Sequence, residues 1–223
     1  MSTSPATDPQ APPPAPPSLA DAVGGPLGIA ETALPAAVFV VVYTASGSQT
    51  RTAAIAAVAL AAVLAAARIL RRQTPMYALS GVLGVAIAGY VAAKTGKAEN
   101  FFLPGLLLNG AYAGAYAISI LVRWPLVGVI VAALTKADSS WRQDPVLVRV
   151  YARASWVWVA LFLARIAVQA PLYAAGALVA LGAARVAMGV PLFVVGIWLS
   201  WLLLRATPGG APWARAVAAR AER

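Results

Sequence analysis

Arg165, Gln169 and Pro171 place a guanidinium, an amide and a released backbone carbonyl within two turns of one helix. Arg165 and Gln169 are four residues apart and share a face, while Pro171 lacks the N–H that the Ala167 carbonyl would accept. Such a set can hold an anion or a lipid head group through charge-assisted hydrogen bonds. It can equally serve structural pairing across helices, to which arginine is well suited. A second set, Asn109, Tyr112, Tyr116, Ser119 and Arg123, recurs every three or four residues and forms one polar stripe. Gly110 and Gly114 lie on roughly the opposite face, flanked by Ala113 and Ala117, which predicts close helix packing there. The stripe, Arg165 and Gln169 would line a hydrophilic path or small-ligand pocket. The plainer reading is interhelical hydrogen bonding that holds a bundle together.

A third set is Glu31, four residues before Pro35. Proline leaves the Glu31 carbonyl without its helical donor and predicts a kink. A free carbonyl beside a carboxylate suits a cation or proton site, or a partner for Arg165. Against this stands a first-turn glutamate stabilised by the helix dipole.

These residues stand in apolar surroundings. Of 223 residues, 61% are apolar and 11% charged, and the mean hydropathy is +0.78. That composition describes a membrane protein. Arg165 falls about 13 Å along the run from Trp156 to Val179, near the middle of a hydrocarbon core about 30 Å thick. A cation there costs a few kcal/mol or more unless it is paired or reaches water.

Six runs are long enough to span: Leu27–Ala45, Thr52–Leu70, Met76–Ala93, Phe101–Val122, Trp156–Val179 and Val186–Leu204. Pro125–Leu134 reaches only about 15 Å and predicts a half-span or interfacial helix. Asp144–Ser155, with Asp144 as cap, Pro145 at the first helical position, and Arg149 and Arg153 on one face, predicts an elbow helix on the membrane surface. The expected fold is therefore an all-α polytopic bundle over residues 26–205, of about six spans plus one short helix. A disordered Pro-rich tail (1–25) precedes it and a basic tail (206–223) follows. With the N-terminus inside, most Lys and Arg fall in the cytoplasm, leaving Arg51, Lys94, Lys97 and Arg185 in outer loops. Both termini are then cytoplasmic. Trp124, Trp141, Trp156, Trp198, Trp201, Tyr43 and Tyr77 read as interfacial anchors. Pro26, Pro75, Pro125 and Pro171 recur about fifty residues apart, as a duplicated two-helix unit would, or simply because proline favours helix starts.

The net charge of +10 is spread over short loops with no basic stripe, which points to the lipid bilayer rather than nucleic acid. The chain has no Cys and no His. Thiolate and imidazole chemistry, zinc sites and His- or Cys-ligated haem are excluded. There is also no nucleophile–base pair, no paired acids at useful spacing and no phosphate-binding loop, so no enzymatic activity, cofactor or metal is expected.

Several phrases resemble a family of uncharacterised actinobacterial integral membrane proteins. They are Glu31-Thr-Ala-Leu-Pro35, Arg68-Ile-Leu-Arg-Arg72, Asn100-Phe-Phe-Leu-Pro104-Gly105, Arg123-Trp-Pro125-Leu-Val-Gly128, Trp141-Arg142 with Asp144-Pro145, and Met188-Gly-Val-Pro191-Leu192. More distantly, Leu34-Pro35, Val38-Phe39, Tyr43, Arg123-Trp-Pro125-Leu126 and the Trp156–Phe162 span are similar to the intracellular septation protein A group. That resemblance implies a bacterial plasma-membrane protein of envelope maintenance, with envelope or division proteins as partners. The alternative is a small-solute or ion transporter built on Glu31, Asn109, Tyr112, Tyr116, Arg165 and Gln169.

Overall fold

The computed structural model describes residues 25–70, 75–135 and 138–206. The two tails and the side chain of Glu31, including its expected pairing with Arg165, lie outside the described residues. Among the described residues all regular structure is helical. The order is α1 (Gly25–Ala45), α2 (Thr50–Leu70), α3 (Pro75–Thr95), a 3-10 turn (Ala98–Phe101), α4 (Leu103–Leu121), α5 (Leu126–Thr135), a second 3-10 turn (Ser139–Gln143), α6 (Pro145–Ala174), α7 (Leu178–Ala187) and α8 (Val190–Arg205).

Four stretches are long and apolar enough to cross a membrane: Thr50–Leu70, Leu103–Leu121, Pro145–Ala174 and Leu178–Arg205. Shorter apolar helices are Ala33–Ala45, Leu79–Thr95 and Leu126–Thr135.

Two packed groups share the bundle. In the first, α2 buries a stripe of Ala53, Ala54, Ala57, Ala61 and Ala65. Small side chains let helix axes approach, and helix packing in lipid depends on such van der Waals contact. Across this seam a Cβ on Gly89 of α3 would sit 3.3 Å from Val58 and 3.5 Å from Ala54. The seam is closed by Phe39, Phe101, Phe102, Leu178 and Leu181, with Phe39 and Phe101 stacked at 4.0 Å. Above it, Thr50 donates to the Gly96 carbonyl, Asn100 donates to Thr95, and the Tyr173 hydroxyl donates to Asn100.

The second group joins α5, α6 and α8 around Val127, Trp141, Tyr151, Ala154 and Leu204. Two hydroxyls fix the start of α5. Ser119 of α4 accepts from the Leu126 N–H at 3.1 Å, and fully buried Ser155 of α6 accepts from the Val127 N–H at 3.3 Å. These N–H groups have no partner within their own helix, so the two hydroxyls supply the missing acceptors. Arg123 takes a left-handed conformation (φ 55°) at the end of α4, with the Trp124 N–H bonded to the Ser119 carbonyl at 2.8 Å. The polar stripe thus ends in a helix-terminating turn.

Several expectations change. Asp144 does cap the helix that starts at Pro145, accepting from the Val146 N–H at 2.8 Å. No elbow helix follows, however. Residues 145–174 form one helix of 30 residues because nothing between Arg153 and Trp156 interrupts its hydrogen bonding. That helix ends at Ala174, before the expected Val179, where Gly176 (φ 64°) supplies the turn. Arg185 lies within α7, not in an outer loop. Trp141 is buried against Gly128 and Tyr151 rather than anchored at an interface. The Gly110–Gly114 face is not closely packed, since a Cβ on Gly114 would meet nothing within 4 Å. Pro26 and Pro75 open helices and Pro125 precedes one, whereas Pro171 lies inside one, so the four prolines do not hold equivalent positions.

Gly128 and Gly114 give a contrasting test. A Cβ on Gly128 would come within 2.7 Å of the Trp141 ring. Gly128→Ala is expected to cost about 1–3 kcal/mol by overpacking. Gly114→Ala is expected to be neutral or to gain up to about 1 kcal/mol from helix propensity. Thermal unfolding in detergent checks both, and equal behaviour would contradict this packing.

Candidate functional site

Arg165 projects from α6 toward the junction of α7 and α8, where its guanidinium donates to the Gly189 carbonyl at 2.6 Å. The junction follows from local sequence. Pro191 offers no N–H to the Ala187 carbonyl, so the helix cannot run through. Glycine relieves crowding just before it, because a Cβ on Gly189 would lie 3.2 Å from the carbonyl oxygens of both Arg185 and Val186. The outcome is a helix broken inside one apolar run, Leu178–Arg205. The N-terminus of α8, with its partial positive charge, opens at the break.

Arg185, on the last turn of α7, is the second cation. The residue is exposed, and its guanidinium lies where two cavities adjoin. It lies against Gly105 in the first turn of α4, where an added Cβ would come within 2.5 Å of Nη1. It also sits 5.6 Å from the Phe102 ring centroid. Arg185 and Arg165 are close enough to interact electrostatically. Among the described residues neither has a carboxylate partner. Two like charges beside two helix N-termini are mutually unfavourable in a medium of low dielectric.

A cavity of about 540 Å³ collects these groups. Its polar lining is Asn109, Tyr112, Arg165, Gln169 and Arg185, together with the α8 start at Gly189, Val190 and Pro191. Gln169 is only 5% exposed and lines this cavity. Asn109 donates to the Gly105 carbonyl at 2.9 Å, which ties it to the backbone that Arg185 rests on. Tyr112 tilts against Phe162 at 5.3 Å.

Of the residues expected from sequence, Asn109, Tyr112, Arg165 and Gln169 meet at one cavity. Tyr116 does not join them. It stacks on Trp158 at 6.1 Å and tilts against Phe162 at 5.9 Å, outside the cavity lining. Arg185, Gly105 and the α8 N-terminus were not anticipated. The signal for them was present in Met188-Gly-Val-Pro191, a helix-breaking sequence inside an apolar run just after an arginine.

Guanidinium forks, an amide, a phenol and helix-start N–H groups make a donor-rich surface. Such a surface has the donors that oxyanion recognition requires. Apolar spans around a polar interior define a polytopic integral membrane protein. Residues 23–209 match a family described as "Protein of unknown function (DUF3159)", and the chain belongs to it. No curated protein and no solved structure matches.

Arg165→Leu is expected to leave membrane insertion and monodispersity intact. Hydrogen exchange at the Phe193 amide, which shares the Gly189 carbonyl at 3.2 Å, should then rise about tenfold or more, because that carbonyl loses a charged donor. Unchanged exchange would show that Arg165 does not hold the break.

Proposed function

We propose that the protein is a non-enzymatic integral membrane protein that binds an anionic group inside its bundle, as a carrier does at a discontinuous helix. One observation carries this reading: Arg165 and Arg185 share a cavity at the α7–α8 break with no carboxylate partner among the described residues. A bound oxyanion would satisfy both forks, the Gln169 amide and the α8 start together. The setting we propose is the bacterial plasma membrane, with six spans, α5 as a short half-span, and both termini in the cytoplasm.

The resemblance to septation-type proteins points to envelope maintenance and to division or envelope partners. Its residues serve packing: Pro35 is buried, Phe39 is buried in the first group, and Pro125 is buried before α5. They support a shared architecture more than a shared site. We therefore place the anion site first and envelope maintenance as the process it would serve.

In neutral detergent, phosphate, sulfate or acetate should stabilise the purified protein saturably against heat. Arg185→Gln should weaken the response by about tenfold or more, the loss of one charge-assisted contact. Proteoliposomes loaded with labelled phosphate or sulfate test carriage. A flat thermal response of the unaltered protein to all three anions would overturn the reading.

A further inference from the structure

Arg185 also lines a second cavity, of about 480 Å³, that reaches away from the first between α1, α2, α3 and α4. The two cavities share Ala36, Gly105, Leu108 and Arg185, so they adjoin at the guanidinium. Their walls differ. Apart from Arg185, Arg68 and Ser80, the second cavity is lined by apolar side chains, glycine and proline. It exists because small residues leave the space: Ala61 and Ala65 on α2, and Gly81 and Gly84 on α3, where an added Cβ would meet nothing within 4 Å. Each volume lies in the range of ordinary ligand sites.

An oxyanion-binding chamber that opens past an arginine into an apolar chamber matches the shape of an amphiphile. We infer that the ligand is an anionic amphiphile, with its phosphate or carboxylate between Arg165 and Arg185 and its alkyl chain in the α1–α4 cavity. This rests on the anion site proposed above and names the class of ligand that site takes. A free inorganic anion would occupy the first chamber alone, and a zwitterionic lipid would bring a second cation toward two arginines. Gly105 sits at the junction, since any side chain there would push the Arg185 guanidinium aside.

Binding to the delipidated full chain in neutral detergent, read by native mass spectrometry, tests the inference with three probes: glycerol phosphate, palmitoyl lysophosphatidate and palmitoyl lysophosphatidylcholine. Lysophosphatidate is expected to bind about a hundredfold or more tighter than glycerol phosphate, because its chain adds apolar burial. Lysophosphatidylcholine is expected to bind more weakly than lysophosphatidate. Gly84→Leu, whose Cβ meets nothing within 4 Å and whose branch projects into the second cavity, should remove the chain's advantage and leave glycerol phosphate binding unchanged. Gly105→Ala should weaken both anionic probes while the unfolding midpoint holds.

If glycerol phosphate binds and lysophosphatidate binds no tighter, the amphiphile is overturned and the anion site stands. Equal binding of the two lysolipids, or no effect of Gly84→Leu, also overturns the amphiphile. If no anionic probe binds, both fall.

Discussion

Arg165 and Arg185 line one cavity among apolar helices, and the mutual repulsion of these like charges is the constraint on which the site depends. In water the pair would be trivial, since screening and a high dielectric reduce it to a fraction of a kcal/mol or so. Between helices it is costly, and each guanidinium needs a stronger acceptor than lipid offers. Arg165 finds part of one in the Gly189 carbonyl. Among the described residues, Arg185 lies against the face of Phe102 and the backbone of Gly105. Neither contact removes positive charge from the cavity.

The helices that surround the pair explain how the arrangement is held. On one side, alanine and aromatic packing joins α1, α2, α3 and α7, so Arg185 is carried on a rigid wall. On the other, α6 is a single long helix clamped by α5 and α8, so Arg165 and Gln169 are carried on a second one. The break between α7 and α8 is where the two walls meet. Pro191 and Gly189 produce that break locally, which is why a charged residue can lie within an apolar run. The aromatic ladder of Tyr112, Phe162, Tyr116 and Trp158 then fills the seam between α4 and α6.

Much of this was legible before the coordinates. Helix positions follow from apolar runs of the right length, and α1 to α5 fall close to the expected bounds. Arg165 and Gln169 stood out because a charge deep in an apolar run is expensive, and the stripe spacing led to Asn109 and Tyr112. Arg185 was missed for a related reason. Treated as the edge of a run, a charge reads as a loop residue, and only the broken helix brings it inside. Tyr116 was misplaced because a polar stripe tells which residues share a face but not which neighbour covers each turn. Glycine spacing misled likewise, since Gly110 and Gly114 permit a close approach without requiring one. The continuity of α6 past Ser155 could not be read from charge pattern, because an amphipathic start and an apolar finish suit one long helix as well as two.

A charge swap tests the central claim most directly. In delipidated protein at low salt in neutral detergent, the thermal unfolding midpoint of Arg185→Glu is compared with that of the unaltered chain. If two uncompensated guanidiniums face each other, the swap turns repulsion into attraction to Arg165, and the midpoint should rise. A midpoint that falls sharply would contradict the account, because it would mean that Arg185 is already neutralised by a carboxylate within the fold.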